Sequence, residues 1–213
     1  MVKVKAFTFN LFAENTFVLF DEETKEAVIV DPGTSTNVEE KALEDFISSN
    51  NLSIKYMINT HCHIDHILGC KFVKVKYNPV YYAPEKDLIL LDNAQQQAQM
   101  FGLILEPPPK PDQFLTEQTE LYLGKSEITF LFTPGHTAGE FCLYLEKEKI
   151  CITGDVLFKE GIGRTDLWGG NYDVLINSIE TKLFTLTDDV IIYPGHGDTS
   201  TIGYEKQYNP FLV

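Results

Sequence analysis

Residues 53–66 read SIKYMINTHCHIDH, an apolar, β-branched run that ends in His61, His63, Asp65 and His66. The run predicts a buried strand, and the sudden change of chemistry places the polar residues just past its end. The protein has five histidines, and three of them fall in this one six-residue window. Chance scatter would put well under one there. If the segment after the strand stays extended, alternate side chains face opposite ways, so His61, His63 and Asp65 share one side. Cys62 then faces away, and His66 points elsewhere once the chain turns into a helix.

The other two imidazoles repeat the arrangement. His136 and His196 each follow Pro-Gly at the end of an apolar run, in ITFLFTPGH and DVIIYPGH, and Asp155 closes KICITGD. Strand ends are where α/β layered folds gather ligands, and a glycine before each histidine lets the backbone turn sharply into a crowded site. A purely structural role would have to hold for five imidazoles and the aspartates together.

Working outward, VKVKAFTF, NTFVLF and EAVIV predict opening strands, the last one stopped by Asp31-Pro32-Gly33. Thr36 or Asn37 can cap a helix over 38–50, with Val38, Leu43, Phe46 and Ile47 at helical spacing. A helical stretch HILGCKFVKVKY, a strand PVYYA and a second helix from about Lys86 to Phe101 follow. Pro107, Pro108, Pro109 and Pro111 exclude helix or inner strand, so EPPPKPDQF is a surface connection and a candidate lid. The second half offers strands ELYLG, EITFLFT, EFCLYLE, KICITG and DVIIYP, a Gly-rich loop KEGIGRTDLWGG, and a helix YDVLINSIETKLF. Strands and helices alternate, no linker-like tract divides the chain and no repeat is visible. Residues 1–213 therefore read as a single domain of the α/β class, two layered sheets between outer helices.

Over its 213 residues the protein is 44% apolar and 23% charged, ordinary globular usage that excludes disordered and coiled-coil readings. Seventeen Lys plus Arg against 31 Asp plus Glu give a net charge of −14, a field that repels phosphate backbones. Nucleic acid is not an expected partner. No apolar stretch is long enough for a membrane span, and the start lacks an export pattern, so a soluble cytoplasmic protein is expected, with no membrane partner. The sequence is silent on oligomeric state. Cys62, Cys70, Cys142 and Cys151 show no CxxC pairing and read as reduced thiols.

Five imidazoles and two carboxylates suit two divalent first-row ions, which sit about 3.5–4 Å apart when they share a carboxylate and a water. Asp65 and Asp155 are the candidate catalytic carboxylates. Arg164 is a candidate clamp for a substrate carboxylate, with a loop-shaping ion pair to Asp166 as the competing reading. Asp31 and Asp198 are candidates for orienting metal-binding groups through hydrogen bonds. Tyr144 and Trp168 read as packing residues.

The segments THCHIDH at 60–66, TPGHTAGE at 133–140, TGDVLF at 153–158 and PGHG at 194–197 resemble the metallo-β-lactamase superfamily, in its order and nearly along the whole chain. The resemblance implies an αββα four-layer sandwich with His61, His63 and His136 on one metal, Asp65, His66 and His196 on the other, and Asp155 shared. Zinc is the expected metal, with iron or manganese as alternatives. Aspartate at 155, where β-lactamases carry a cysteine ligand, speaks against antibiotic hydrolysis. The loop GIGRTDLWGG is similar to the glyoxalase II-like and persulfide dioxygenase-like branch. That implies a hydrolase of a small-molecule thioester such as S-lactoylglutathione, or alternatively a mononuclear-iron persulfide dioxygenase using His61, His136 and Asp155. An RNA-processing phosphodiesterase and a non-catalytic metal-binding module are the remaining alternatives. The chain lacks the helical C-terminal extension of full-length glyoxalase II, which implies a broader thioester preference.

Overall fold

The computed structural model describes residues 1–213, which fall into two compact units: Met1–Phe114 with Tyr122–Ser126, and Leu115–Leu121 with Glu127–Val213. The first carries a six-stranded sheet in simple sequence order, β1 (Val2–Phe9), β2 (Glu14–Asp21), β3 (Glu26–Val30), β4 (Ser53–Ile58), β5 (Val80–Pro84) and β6 (Gln113–Leu115). Strands β1 to β3 are antiparallel, whereas β3, β4 and β5 run parallel. The parallel strands are joined by α1 (Asn37–Ser49) and by α2 (Ile64–Ile67) with α3 (Cys70–Tyr77), as crossovers require. Two short helices, α4 (Leu88–Asp92) and α5 (Ala94–Met100), complete the unit.

Helix α1 begins where the sequence asks it to. Thr36 and Glu39 form a reciprocal capping box, the threonine hydroxyl accepting from Glu39 N and the glutamate accepting from Thr36 N. Leu43 and Ile47 enter the core beside Val18, Ile29, Met57 and Tyr81, while Val38, placed on the same side by spacing, is exposed in the first turn. Two expected helices are broken. Gly69 N donates to Pro32 O at 2.7 Å instead of to its own helix, which separates α2 from α3. The helix expected from Lys86 to Phe101 divides at Asn93, whose side chain bonds to Ile89 O at 2.7 Å and competes with the next turn. The proline segment remains a connection without regular structure, pinned where Asp112 accepts Tyr81 N and donates its own N–H to Tyr81 O.

The second sheet is ordered β14-β13-β10-β9-β8-β7, built from β7 (Leu121–Leu123), β8 (Ser126–Phe132), β9 (Phe141–Leu145), β10 (Ile150–Gly154), β13 (Ile191–Pro194) and β14 (Ser200–Thr201). A small hairpin of β11 (Leu157–Phe158) and β12 (Gly161–Ile162) leaves β10. Helix α6 (Tyr172–Ser178) continues into a π-helical turn at Ile179–Leu183, and α7 (Ile202–Tyr208) closes the chain. Leu175, Ile179 and Leu183 pack with Cys142, Cys151, Ile192 and Ile202 in this unit's core. No helix is long and apolar enough to cross a membrane. The α/β class with two sheets is the one found.

Thr36→Ala deletes the hydroxyl of the capping box while leaving the apolar face of α1 intact. It should cost about 1 kcal/mol in urea-induced unfolding, with an unchanged slope.

Candidate metal centre

In the first unit the parallel register pairs Val30 with Ile58, so the chain leaves β3 and β4 side by side. Asp31, the next residue, takes a left-handed φ of 49° and is fully buried. Its Oδ1 accepts from Thr60 N at 2.7 Å and Asn59 Nδ2 at 3.3 Å, and its Oδ2 accepts from Thr60 Oγ1 at 2.6 Å. The same Oδ2 lies 3.1 Å from His66 Nδ1. The threonine hydroxyl has spent its proton on Asp31, so the contact of 3.1 Å to His61 Nδ1 requires the ring to donate. Both His61 and His66 are thereby set with the proton on Nδ1 and a basic Nε2, the tautomer a metal needs. His66 Nε2 stands 3.5 Å from Asp65 Oδ2, and the His61 ring centroid is 4.9 Å from that of His63 and 4.1 Å from that of His66. Donor atoms of Asp31, His61 and His66 lie within 4.8 Å of one another.

The second unit assembles its residues by the same device. Gly154 at the end of β10 pairs with Pro194 at the end of β13, and Gly195 N donates to Gly154 O at 2.7 Å, so Asp155 and His196 emerge together. The Asp155 N–H donates to Glu140 Oε1 at 2.7 Å, and Asp155 Oδ2 is 3.5 Å from His136 Nε2 and 3.6 Å from His196 Nε2. His136 Nδ1 faces the Arg164 carbonyl oxygen at 2.8 Å, and a carbonyl only accepts, so Nδ1 holds the proton and Nε2 is basic here too. Gly135, with φ 134°, sits where a Cβ would fall 2.3 Å from Leu175 N, so only glycine lets the loop pass α6.

These carboxylate-to-imidazole separations of 3.5–3.6 Å are too long for good hydrogen bonds. They match two ligands of one ion, since bonds of about 2.1 Å at the tetrahedral angle hold ligand atoms ~3.4 Å apart. The donor set, imidazole Nε2 and carboxylate oxygen, is that of Zn, Fe or Mn.

Two candidates bond away from the imidazoles. Of the two readings of Arg164, the structure shows the ion pair: its Nε and Nη2 bond bidentately to Asp166 at 2.7 and 2.8 Å on the surface, which holds the Asp166 carboxyl down at about 2. Its contribution to the site is its backbone carbonyl. Asp198 does not hold an imidazole: its side chain is 84% exposed and lies 3.6 Å from Lys159 Nζ. Asp31 sits where an orienting carboxylate was expected. Cys62 is fully buried in the apolar core and burial pushes its thiol up, so it stays protonated. Trp168 is exposed, whereas Tyr144 is partly buried against the second core.

Three supporting residues escaped the sequence reading. Asn59 bridges Asp31 and His66, Glu140 holds the Asp155 backbone, and Asn10 Nδ2 donates to both Gly33 O and Asp65 O. Glu140 stands inside the segment TPGHTAGE, where a buried acid four residues after a ligand was a usable signal.

Residues 10–196 match the Metallo-beta-lactamase superfamily, and the chain belongs to it. It is 40% identical over 203 residues to the hydroxyacylglutathione hydrolase GloC of Haemophilus influenzae, covering 94% of this chain and 93% of that protein. The crystal structure of the BLEG-1 B3 metallo-beta-lactamase superposes with a TM-score of 0.90 at 33% identity, covering 99% of this chain and 100% of that one. A structure of TTHA1623 in a di-iron-bound form gives 0.88 at 29% identity, over 98% and 100% of the two chains. The protein is thus a member of the metallo-hydrolase superfamily whose His and Asp groups suit divalent metals.

Gly163 precedes the Arg164 carbonyl that orients His136, and a Cβ there would fall 1.8 Å from Asp155 O. Gly163→Ala must displace one loop or the other. Elemental analysis of the purified variant should find the metal content per chain reduced, while circular dichroism keeps both sheets.

Proposed function

We propose that the protein is a thioester hydrolase, cleaving an acyl-thiol such as S-lactoylglutathione, with residues 1–213 acting as one catalytic domain. The observation that carries this reading is the 40% identity to a hydroxyacylglutathione hydrolase along nearly the full length of both chains. In the proposed site His61, His63 and His136 hold one divalent ion, Asp65, His66 and His196 hold a second, and Asp155 serves both. Zinc is the first candidate, and the di-iron form of TTHA1623 keeps iron open.

Bound there, the ions supply Lewis acidity toward a carbonyl oxygen and make water acidic enough to react at neutral pH. The chain's own residues prepare for this in three ways. Asp31 and Thr60 hold the proton of His66 and His61 on Nδ1 and leave Nε2 to face a ligand, and the Arg164 carbonyl does the same for His136. Glu140 fixes the Asp155 backbone, which keeps its Oδ2 between the Nε2 atoms of His136 and His196. A thiolate leaves without being protonated near neutral pH, so the chain needs no histidine as general acid, and all five belong to the ligand set.

The likeness to BLEG-1 favours β-lactam hydrolysis as a second reading, and the single-iron dioxygenase remains the oxidative alternative. The test is protein purified without chelator or added metal, counted for metal per chain and assayed with S-lactoylglutathione, a simple acyl-thioester, a cephalosporin and glutathione persulfide under oxygen. Two ions per chain with thioester turnover is the expected result. One iron with oxygen consumption, or turnover of the cephalosporin alone, overturns it. Asp155→Asn should lower kcat/KM by about a thousandfold and reduce bound metal, measured side by side with the wild type.

A further inference from the structure

Behind the histidine loop of the first unit, the amide that bridges Asp31 and His66 has complete hydrogen bonding. Asn59 follows β4, is fully buried, and makes four side-chain bonds. Its Nδ2 donates to His66 O at 2.8 Å and Asp31 Oδ1 at 3.3 Å. Its Oδ1 accepts from Tyr81 Oη at 2.8 Å and Cys70 Sγ at 3.2 Å. An asparagine amide offers two donors and two acceptor lone pairs, and all four are used.

The two ends of this amide are not interchangeable. A backbone carbonyl and a carboxylate can only accept, so the amide nitrogen must face His66 and Asp31. Turning it over would set oxygen against two acceptors. On the other side Tyr81 and Cys70 are donors, and burial pushes both groups above their ordinary pKa values, so each keeps its proton. Tyr81 is itself anchored by its backbone to Asp112, and Asn59 N donates to Tyr82 O at 3.0 Å. The parallel pairing of β4 and β5 thus supplies the clamp that sets the amide.

We infer that Asn59 is a positioning residue for the ion held by Asp65 and His66, with Tyr81 and Cys70 locking its amide in the productive orientation. It holds that ligand in two ways: it fixes the His66 backbone through the carbonyl, and it fixes the Asp31 carboxylate that faces the His66 ring. This rests on the proposed reading of His66 as a ligand. The relay spans only fully buried residues, so its energy is spent on geometry and not on contact with substrate.

The experiment titrates zinc into metal-free full-length protein against a chromogenic chelator, reading the two affinities separately, for wild type, Asn59→Asp, Tyr81→Phe and His66→Ala. The cobalt(II) absorption spectrum and a thermal melt of the metal-free form accompany each. Asn59→Asp replaces two donors by an oxygen facing Asp31 and His66 O, and should weaken one ion by about 10- to 100-fold. That ion should be the one lost in His66→Ala, while the other affinity stays within threefold. Tyr81→Phe, which removes one oxygen and little volume, should weaken the same ion by about 3- to 10-fold, the worth of one neutral hydrogen bond, with a near-wild-type melt. Both affinities unchanged in both variants, or both falling together with the melting temperature, overturns the inference. Wild type that takes up fewer than two ions sinks the ligand reading itself, and the inference with it, a failure visible before any variant is made.

Discussion

The carboxylate of Asp31 is the constraint on which the first half of the site depends. It is fully buried, and its two oxygens organise Thr60, Asn59, His61 and His66 without touching solvent. A buried carboxylate is costly unless several donors surround it. The parallel register of β3 and β4 provides them, because the residue after one strand lands beside the residues after the other. The arrangement then fixes more than position. With the hydroxyl proton of Thr60 committed to Asp31, the proton on His61 is committed to Nδ1, and a chain of donors decides which nitrogen is left basic.

The second unit solves the same problem with backbone groups. The Arg164 carbonyl sets His136, and Glu140 sets Asp155 through its N–H. This half depends on close approach, which is why glycine stands at 135 and 163, where any Cβ would overlap backbone atoms. His136 is buried while His196 is about a quarter exposed. The imidazole that follows β13 is therefore the one in touch with solvent, and the others are built into the protein interior.

Most strands could be read from the amino-acid order, as could the crowding of His and Asp at strand ends, while the division of those residues between two ions came from the resemblance alone. The β-branched run AVIV, the apolar and aromatic run FCLYL and the crowding of His61, His63 and His66 are local signals that survive without tertiary information. What was not legible depends on residues far apart in the chain. Gly69 leaves its helix because Pro32 O is nearby, and Asn59 matters because Tyr81 and Cys70 lie across from it. Nothing in the sequence around 59 announces a donor–acceptor relay. Arg164 stayed undecided between a ligand clamp and an ion pair with Asp166, because spacing alone does not say whether the two side chains meet; in the structure they close a bidentate pair within the loop. The C-terminal helix α7 gave no strong periodic signal, yet its buried Glu205 accepts the Glu160 N–H at 2.9 Å and so steadies the hairpin before the Arg164 loop.

Charge explains why so acidic a protein tolerates this arrangement. Asp31 and Asp155 each stand beside an imidazole, and the hydrogen bonds behind the rings of His61 and His66 fix which nitrogen faces away from them. Each half places a carboxylate oxygen 3.5–3.6 Å from an imidazole Nε2, too long for a good hydrogen bond and close to the separation of two ligands on one ion. A divalent ion turns that spacing into binding energy, because the desolvation of the carboxylates and the ordering of the rings have already been met by the fold. The net charge of −14 adds a long-range field of the sign that draws divalent cations in. The same field repels polyanions.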